Sequence, residues 1–286
     1  MTQVVRTTNC ISPFVVDHFT VPGGTTRFLS ACFAGTDWSL GPLYEPQDAY
    51  KHPDLAARVG RALAGLVAIN VYAPNPTAFN GEILLRKNLT DVFGLGSGVL
   101  LHRKREPKAD GVFLTDKGDA FTFSGGGCGM VVVSLRTDLI AAHAGRESLL
   151  DRQEVVTDGK EKSRERDLAD NILVNLGACG GDMHSVHAWP LYFIRPEEFA
   201  HRPDDPKHHA YNCAAARYLS AKYGAHAGQV EDGTLYMDLP RIFQKQLVER
   251  GVPEENIHLE HAYLPRGLPH TRNGGGRYLA AAVRHT

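Results

Sequence analysis

Cysteine is scarce in this sequence, and the few cysteines follow no spacing pattern. There are five of them among 286 residues, none in a C-x-x-C pair: Cys10, Cys32, Cys128, Cys179 and Cys213. Disulfide scaffolds and zinc fingers need a regular framework of cysteines, and an odd number leaves at least one thiol over. We therefore expect a reduced, cytoplasmic protein, although secretion without a cleavable signal would leave the same pattern.

Long hydrophobic runs and charge bias are also missing. Hydrophobic residues make up 43% of the chain but never continue for the roughly eighteen positions that a membrane-spanning helix needs. The first six residues lack the positive start and apolar core of a signal peptide. Lys+Arg (31) and Asp+Glu (32) balance, so we expect neither nucleic acid nor a membrane as a partner.

No internal repeat, low-complexity tract or linker divides the chain. A chain of this length can bury a core large enough to fold without a structural metal or disulfide. We therefore expect a single domain over residues 1–286 that requires no cofactor to fold.

Apolar periodicity predicts a mixture of strands and helices, as in an α/β protein. Helices are predicted at 53–66, 148–156, 164–176 and 237–250. Strands are predicted at 67–72, 83–85, 98–101, 111–115, 130–135, 139–142, 185–194, 256–261 and 278–283. The charged run that starts at Arg103 is predicted to be a solvated loop.

The segment 121–146 combines ordinary fold signals with reactive residue types. Two apolar runs, 130–135 and 139–142, are separated by a short polar step and so predict a β-hairpin. Three glycines, 125–127, lead into Cys128, and His143 ends the second strand. Because an antiparallel pair brings the start of one strand beside the end of the next, we expect Cys128 and His143 to be neighbours.

Three interpretations of this pair are open. A thiol beside an imidazole can form a nucleophile–base pair, since the thiolate is the reactive species. The same two side chains suit Zn²⁺, although two ligands alone do not complete a zinc site. An apolar strand also commonly contains a cysteine that only packs as a small buried hydrophobic residue.

Backbone and arginine groups near the pair are candidates for contact with a substrate. The N–H groups around Cys128, including those of Gly127 and Gly129, could stabilise an oxyanion. Arg146 directly follows the hairpin. The C-terminal loop 265–277 contains Arg272 and Arg277 among glycines, a composition that binds anions and also forms plain turns.

Several segments resemble the laccase-domain family. Residues 109–115 (ADGVFLT) are similar to that family's Ala-Asp segment, and Cys128 falls where the cysteine of its Thr-Ala-Asp-Cys motif belongs. Residues 143–146 (HAGR) resemble the start of its His-Ala-Gly-Trp-Arg-Gly motif. The resemblance implies a mixed α/β sandwich, with purine nucleoside phosphorolysis, adenosine deamination or amidase activity. It also implies a zinc site formed by His102, Cys128 and His143.

The sequence departs from that family on both sides of the pair. Gly125–Gly127 replace Thr-Ala-Asp, and Arg146-Glu147-Ser148 replace Trp-Arg-Gly. These changes bring the segment closer to the cytotoxic necrotising factor-type deamidases, which share the fold and use a Cys–His dyad after a Ser-Gly-Cys turn. Here Ser124 and Gly125 precede Cys128 at a slightly longer spacing.

The sequence therefore predicts a Cys128–His143 hydrolase that acts on a C–N bond of a small-molecule or protein-amide substrate. One alternative is a zinc-dependent purine nucleoside phosphorylase or adenosine deaminase. The other is a catalytically inactive binding module on the same fold.

Overall fold

The structure is a computed structural model that describes most of the chain. The described residues are 13–23, 25–34, 38–40, 42–43, 46–75 (side chains of 46–48 excepted), 81–85, 88–103, 108–178, 182–266, 268, 270–271, 274 and 276–286.

Fifteen strands and seven α-helices occur within these residues. The strands are β1 (Val15–Thr20), β2 (Arg27–Phe33), β3 (Asn70–Tyr72), β4 (Ile83–Leu84), β5 (Asp91–Gly96), β6 (Val99–Arg103), β7 (Gly111–Leu114), β8 (Asp119–Gly125), β9 (Gly129–Leu135), β10 (Asp138–Ala144), β11 (Val186–Leu191), β12 (Ala200–His201), β13 (Gly228–Glu231), β14 (Thr234–Met237) and β15 (Tyr278–Arg284). The helices are α1 (Pro46–Lys51), α2 (Pro53–Ala64), α3 (Arg146–Leu149), α4 (Arg152–Val156), α5 (Leu168–Asn175), α6 (His209–Tyr223) and α7 (Leu239–Glu249).

The larger sheet has seven strands in the order β1-β2-β15-β8-β3-β6-β5. Because side chains alternate along a strand, its two faces enter two different hydrophobic clusters. Leu279, Ala281 and Val283 of β15 join the cluster that contains Leu63 of α2. Ala280 of the same strand joins the cluster of the second sheet. The seven-stranded sheet is therefore covered on both faces.

The second sheet has five strands in the order β11-β9-β10-β7-β4. Every residue of its internal strand β9 is buried, as expected for an apolar run that has structure on both faces. The cluster on this sheet also contains Leu168 of α5 and Phe243 of α7. The layers confirm the predicted mixed α/β sandwich.

The hairpin predicted at the centre of the sequence is confirmed. β9 and β10 pair antiparallel from Asp138↔Leu135 to Ala144↔Gly129. Their two-residue turn begins with Arg136, whose φ of 55° lies in the left-handed region. This turn fixes a register in which His143 lies directly opposite Met130.

Two predicted elements need correction. The helix predicted at 148–156 is two helices, because Asp151 between them has an extended backbone and caps α4 by accepting from the N–H groups of Gln153 and Glu154. The strand predicted at 256–261 is wrong. Ile257 makes only an isolated bridge to Ala188 of β11. Pro190, two residues further along this edge strand, has no N–H with which to continue a ladder.

A smaller sheet, β12-β14-β13, lies beside α6 and brings residues 199–201 towards the main body. None of the helices in the described ranges is both long and apolar enough to cross a membrane.

Candidate active site

The β9–β10 hairpin brings Cys128 and His143 together. Cys128 is two residues before Met130, so its side chain leaves the same face of the strand, and Met130 is the partner of His143. A Cβ built on Gly145 would lie 3.2 Å from His143 Nε2 and 3.3 Å from Cys128 Sγ. The thiol and the imidazole therefore meet at one point beside Gly145.

The surroundings of Cys128 favour its thiolate. Burial opposes ionisation, but a hydrogen bond and the positive charge of His143, together with the backbone N–H and charge of Arg146, lower the pKa of the Cys128 thiol. By contrast, burial raises the pKa of Cys32, which has no such support. Cys213, the other free cysteine with described coordinates, is half-buried on α6. Cys10 and Cys179 lie outside the described residues.

Asp110 is a third member of the site. It directly precedes β7, whose Gly111 pairs with Ala142 of β10, and so it lies next to His143. Its Oδ1 accepts a hydrogen bond from His143 Nδ1 at 2.9 Å. Ser148 Oγ also donates to Oδ1, at 3.0 Å, and the Gly81 N–H donates to Oδ2 at 2.7 Å. These three donors satisfy a carboxylate that is fully buried.

The hydrogen bonds of His143 determine its tautomer and its charge. Nδ1 is occupied by Asp110, so Nε2 is the nitrogen that faces Cys128. Burial lowers the pKa of His143, but the hydrogen bonds to Asp110 and Cys128 outweigh it and raise the pKa to about 9. The lowered pKa of Cys128 and the raised pKa of His143 both favour the pair in its thiolate and imidazolium form.

A cavity of about 510 Å³ opens onto the pair. This volume is in the range of small-molecule binding sites. Phe123 forms part of its apolar wall and makes an edge contact with the His143 ring, with 5.2 Å between the ring centroids. Gly125–Cys128 line it along one side.

The structure distinguishes between the two glycines considered as oxyanion donors. Gly127 lines the cavity, and its carbonyl accepts from the Ile194 N–H at 3.2 Å. The Cys128 carbonyl accepts from the Tyr278 hydroxyl. In a trans peptide the N–H points opposite to the carbonyl of the preceding residue, so the Cys128 N–H points away from the bond between Gly127 and Ile194. Gly129 is not among the lining residues, and the Phe193 ring covers its Cα.

Two of the three predicted arginines line the cavity. Arg146 has its guanidinium 4.6 Å from the centre of the Tyr211 ring and 3.1 Å from Glu147 Oε1. Arg277 is exposed and donates to the Ser124 carbonyl at 3.4 Å. Arg272 lies outside the described residues.

His102 is not brought to the pair. Its Nε2 forms a hydrogen bond of 3.1 Å with Asn70 Oδ1, and its ring lies 4.7 Å from that of Tyr72. It does not line the cavity. Within the described ranges, no three or more His, Cys, Asp or Glu residues are grouped so as to hold a metal ion. The donor set for zinc is therefore not assembled by these residues.

Sequence reasoning missed two residues of the site. Asp110 was noted only as part of a resemblance, although a carboxylate immediately before the apolar run 111–115 already indicates a buried functional group. Arg103, predicted to begin a solvated loop, is instead the last residue of β6. It is buried, lines the cavity and donates to the Leu40 carbonyl at 2.9 Å. Residues 104–107 lie outside the described residues.

No family model and no curated protein matches this chain. Solved structures with a similar fold include the DUF152 protein NMB0706 of Neisseria meningitidis, with a TM-score of 0.53, 15% identity and coverage of 93% of this chain and 96% of that one. YlmD from Geobacillus stearothermophilus gives 0.52, 15%, 91% and 92%, and the hypothetical protein YfiH of Bacillus licheniformis gives 0.52, 15%, 93% and 98%. At this identity the likeness establishes the fold alone. The chain therefore has the laccase-domain-like fold of the DUF152 proteins, as the sequence resemblance predicted.

Proposed function

We propose that the protein is a cysteine hydrolase that cleaves a C–N bond of an amide substrate. Cys128 is the nucleophile, His143 is the acid and base, and Asp110 orients His143. The observation that carries this proposal is the continuous chain from the Cys128 thiol through His143 to the buried Asp110 carboxylate, at the wall of a cavity. A structural cysteine needs none of these supports.

The first half of the reaction forms a thioester. The Cys128 thiolate attacks the amide carbon, a C–S bond forms, and negative charge moves to the carbonyl oxygen. The N–H group of Cys128 is the proposed donor to that oxygen. The C–N bond then breaks as protonated His143 transfers its proton to the leaving nitrogen.

The second half consumes water. Neutral His143 takes a proton from a water molecule, the resulting hydroxide attacks the thioester carbon, and the C–S bond breaks. The products are a carboxylic acid and the thiolate beside protonated His143, so the net reaction is amide plus water giving acid plus amine. Asp110 stabilises the imidazolium in both halves and keeps its proton-donating nitrogen aimed at the site.

No observation favours the zinc-dependent alternative. It requires His102 beside Cys128 and His143, and His102 is instead hydrogen-bonded to Asn70. The binding-module alternative predicts a thiol that is no more reactive than an ordinary one.

The test compares turnover with thiol reactivity. We expect release of ammonia from a glutamine peptide, or of the amine from an N-acyl amino acid, to fall about a thousandfold or more in Cys128→Ser. His143→Ala should lose nearly as much, because residues that act as one unit do not contribute additively. In the wild-type protein, iodoacetamide should label Cys128 faster than Cys213.

Cys213→Ser is the matched control. Cys213 also has a histidine nearby, with 4.0 Å between its Sγ and His209 Nδ1, but it lies on α6 and does not line the cavity that Cys128 and His143 line. Its replacement should leave turnover unchanged. Full activity in Cys128→Ser would refute the proposal that Cys128 is the nucleophile. Slow labelling of Cys128 without any amide turnover would favour the binding module.

A further inference from the structure

A second cavity lies on the far side of Arg146. Its volume is about 210 Å³, and Arg146 borders both it and the cavity that contains Cys128. The segment around Ala200 forms another part of the partition, since Phe199 lines the first cavity and Ala200 the second. The volume corresponds to about seven water molecules, which is enough for one small polar group.

Arg146 lies between this cavity and the Cys128 sulfur. Its backbone N–H contacts the Cys128 thiolate, while its guanidinium packs over the Tyr211 ring at 4.6 Å. The second cavity is therefore one arginine side chain away from the nucleophile. A substrate that reaches past Arg146 would occupy both cavities at once.

Asn212 offers an unused hydrogen-bond acceptor on the wall of this cavity. Its side chain is 2% exposed, and its Nδ2 donates to the Arg202 carbonyl at 2.8 Å. That bond assigns the other amide atom as oxygen, since a carbonyl can only accept. The oxygen has no hydrogen-bond partner. A buried acceptor of this kind can take an N–H or O–H from a bound ligand.

The cavity also has a cation at its rim, the exposed Lys207. Arg146 borders it from the other side, but its guanidinium is paired with Glu147 at 3.1 Å. Asp205 is the carboxylate among the lining residues, and its Oδ1 already accepts the Lys207 backbone N–H at 2.9 Å. The cavity thus combines an acceptor for an N–H with a lysine ammonium for an anionic group.

We propose that this second cavity binds the α-amino-acid end of the substrate, with a carboxylate near Lys207 and the neighbouring N–H on Asn212 Oδ1. The proposal rests on the proposed amide hydrolysis at Cys128 and names its substrate class, an amide that carries a free α-carboxylate and an adjacent N–H. Arg146 separates the reacting carbon from this recognition group.

Three small molecules test recognition of the carboxylate and recognition of the N–H separately. N-acetylglycine has the carboxylate and the N–H, N-acetylglycinamide lacks the carboxylate, and N-acetylsarcosine lacks the N–H. Their binding is measured by NMR titration of Cys128→Ser protein, in which no turnover occurs. We expect N-acetylglycine to bind about tenfold more tightly than either analogue, which is the usual effect of one hydrogen bond or ion pair in a part-buried site.

Single substitutions in that background assign each preference to a residue. Lys207→Ala should remove the preference over N-acetylglycinamide only, and Asn212→Leu the preference over N-acetylsarcosine only. Lys245→Ala is the matched control, since Lys245 is a surface lysine of α7 beside Glu249. If Asn212→Leu does not fold, Lys207→Ala still decides the carboxylate half.

Equal binding of the three probes, or preferences that persist in both variants, would overturn the proposal. Tighter binding of inorganic phosphate than of N-acetylglycine would overturn the assignment to a carboxylate. Because these measurements use an inactive variant, they are independent of the hydrolysis itself. Intact preferences in a protein that hydrolyses no amide would refute only the proposed function.

Discussion

Gly145 leaves the space in which the thiol and the imidazole meet. Its backbone angles, φ −84° and ψ 168°, suit any residue, so the absence of a side chain is what the position requires. A Cβ here would lie 2.7 Å from His143 Cε1, closer than such atoms approach. The ring or the sulfur would have to move.

We therefore predict that Gly145→Ala folds normally but loses activity. Displacing the imidazole from the sulfur should reduce kcat/KM about tenfold or more, and it should slow iodoacetamide labelling of Cys128. Gly94→Ala is the matched control, because nothing lies within 4 Å of the added methyl group on β5. Unchanged labelling in Gly145→Ala would show that the pair does not depend on this space.

The charge state of the pair predicts a pH profile. The lowered pKa of Cys128 means that the thiolate is lost only as pH falls below the usual thiol range, so activity should decline on the acid side. The pKa of His143, about 9, means that the proton needed by the leaving nitrogen is lost as pH rises through that value. We predict a bell-shaped kcat/KM whose basic limb lies near pH 9, with both limbs belonging to the coupled pair.

Asp110→Asn tests the origin of that basic limb. Removing the carboxylate removes a hydrogen bond that raises the pKa of His143, so the limb should move to lower pH. A structural role for Asp110 would lower the amount of active protein without moving the limb. The measurement is the pH dependence of kcat/KM in the two proteins.

Helix α2 approaches the edge of the seven-stranded sheet so closely that only glycine fits at one position. A Cβ on Gly60 would lie 2.4 Å from the Leu95 carbonyl oxygen on β5, and backbone atoms cannot move aside cheaply. Alanine normally stabilises a helix interior by about 1 kcal/mol relative to glycine. At Gly60 the overlap with the Leu95 carbonyl should make the alanine destabilising instead.

We predict that Gly60→Ala lowers the free energy of unfolding by about 1–3 kcal/mol. Gly65→Ala at the end of the same helix is the control, because its Cβ would make only ordinary contact, 3.4 Å from the nearest atom. Its effect should stay within about 0.5 kcal/mol. Urea denaturation of the two variants measures the difference, and equal stability would contradict the close approach.

Two buried tyrosine hydroxyls connect the layers of the molecule. Tyr278 of the seven-stranded sheet bonds the Cys128 carbonyl, which directly precedes β9 of the five-stranded sheet. Tyr192, which directly follows β11, bonds Ser30 Oγ of β2 at 2.7 Å. Each hydrogen bond gives a partner to buried polar atoms that would otherwise have none. Only the Tyr278 hydroxyl touches the segment that carries Cys128.

We predict that Tyr278→Phe and Tyr192→Phe each cost about 1–2 kcal/mol of stability. Tyr278→Phe should also slow the labelling of Cys128, because that segment loses the bond to its carbonyl, whereas Tyr192→Phe should not. Thermal unfolding and labelling rates check the two effects separately. A single unfolding transition in both variants would agree with the expected single domain.

The site was partly predictable because part of it is local. The hairpin follows from two apolar runs and a short polar step, and its register alone brings the positions of Cys128 and His143 together. Helix α2 follows from its apolar spacing and the proline at its start. In contrast, the break at Asp151 depends on a carboxylate that also accepts from the N–H groups of Ser163 and Arg164, in a charged segment without apolar periodicity.

The amino-acid pattern alone predicts the buried strands, the hairpin, and a thiol and an imidazole at its open end. The partners of that pair depend on how distant strands assemble. Asp110 reaches His143 because β7 pairs with β10, and His102 is directed to Asn70 because β6 pairs with β3 in the other sheet. Local periodicity determines which face of a strand is buried, but the choice of neighbouring strand depends on packing of the whole chain.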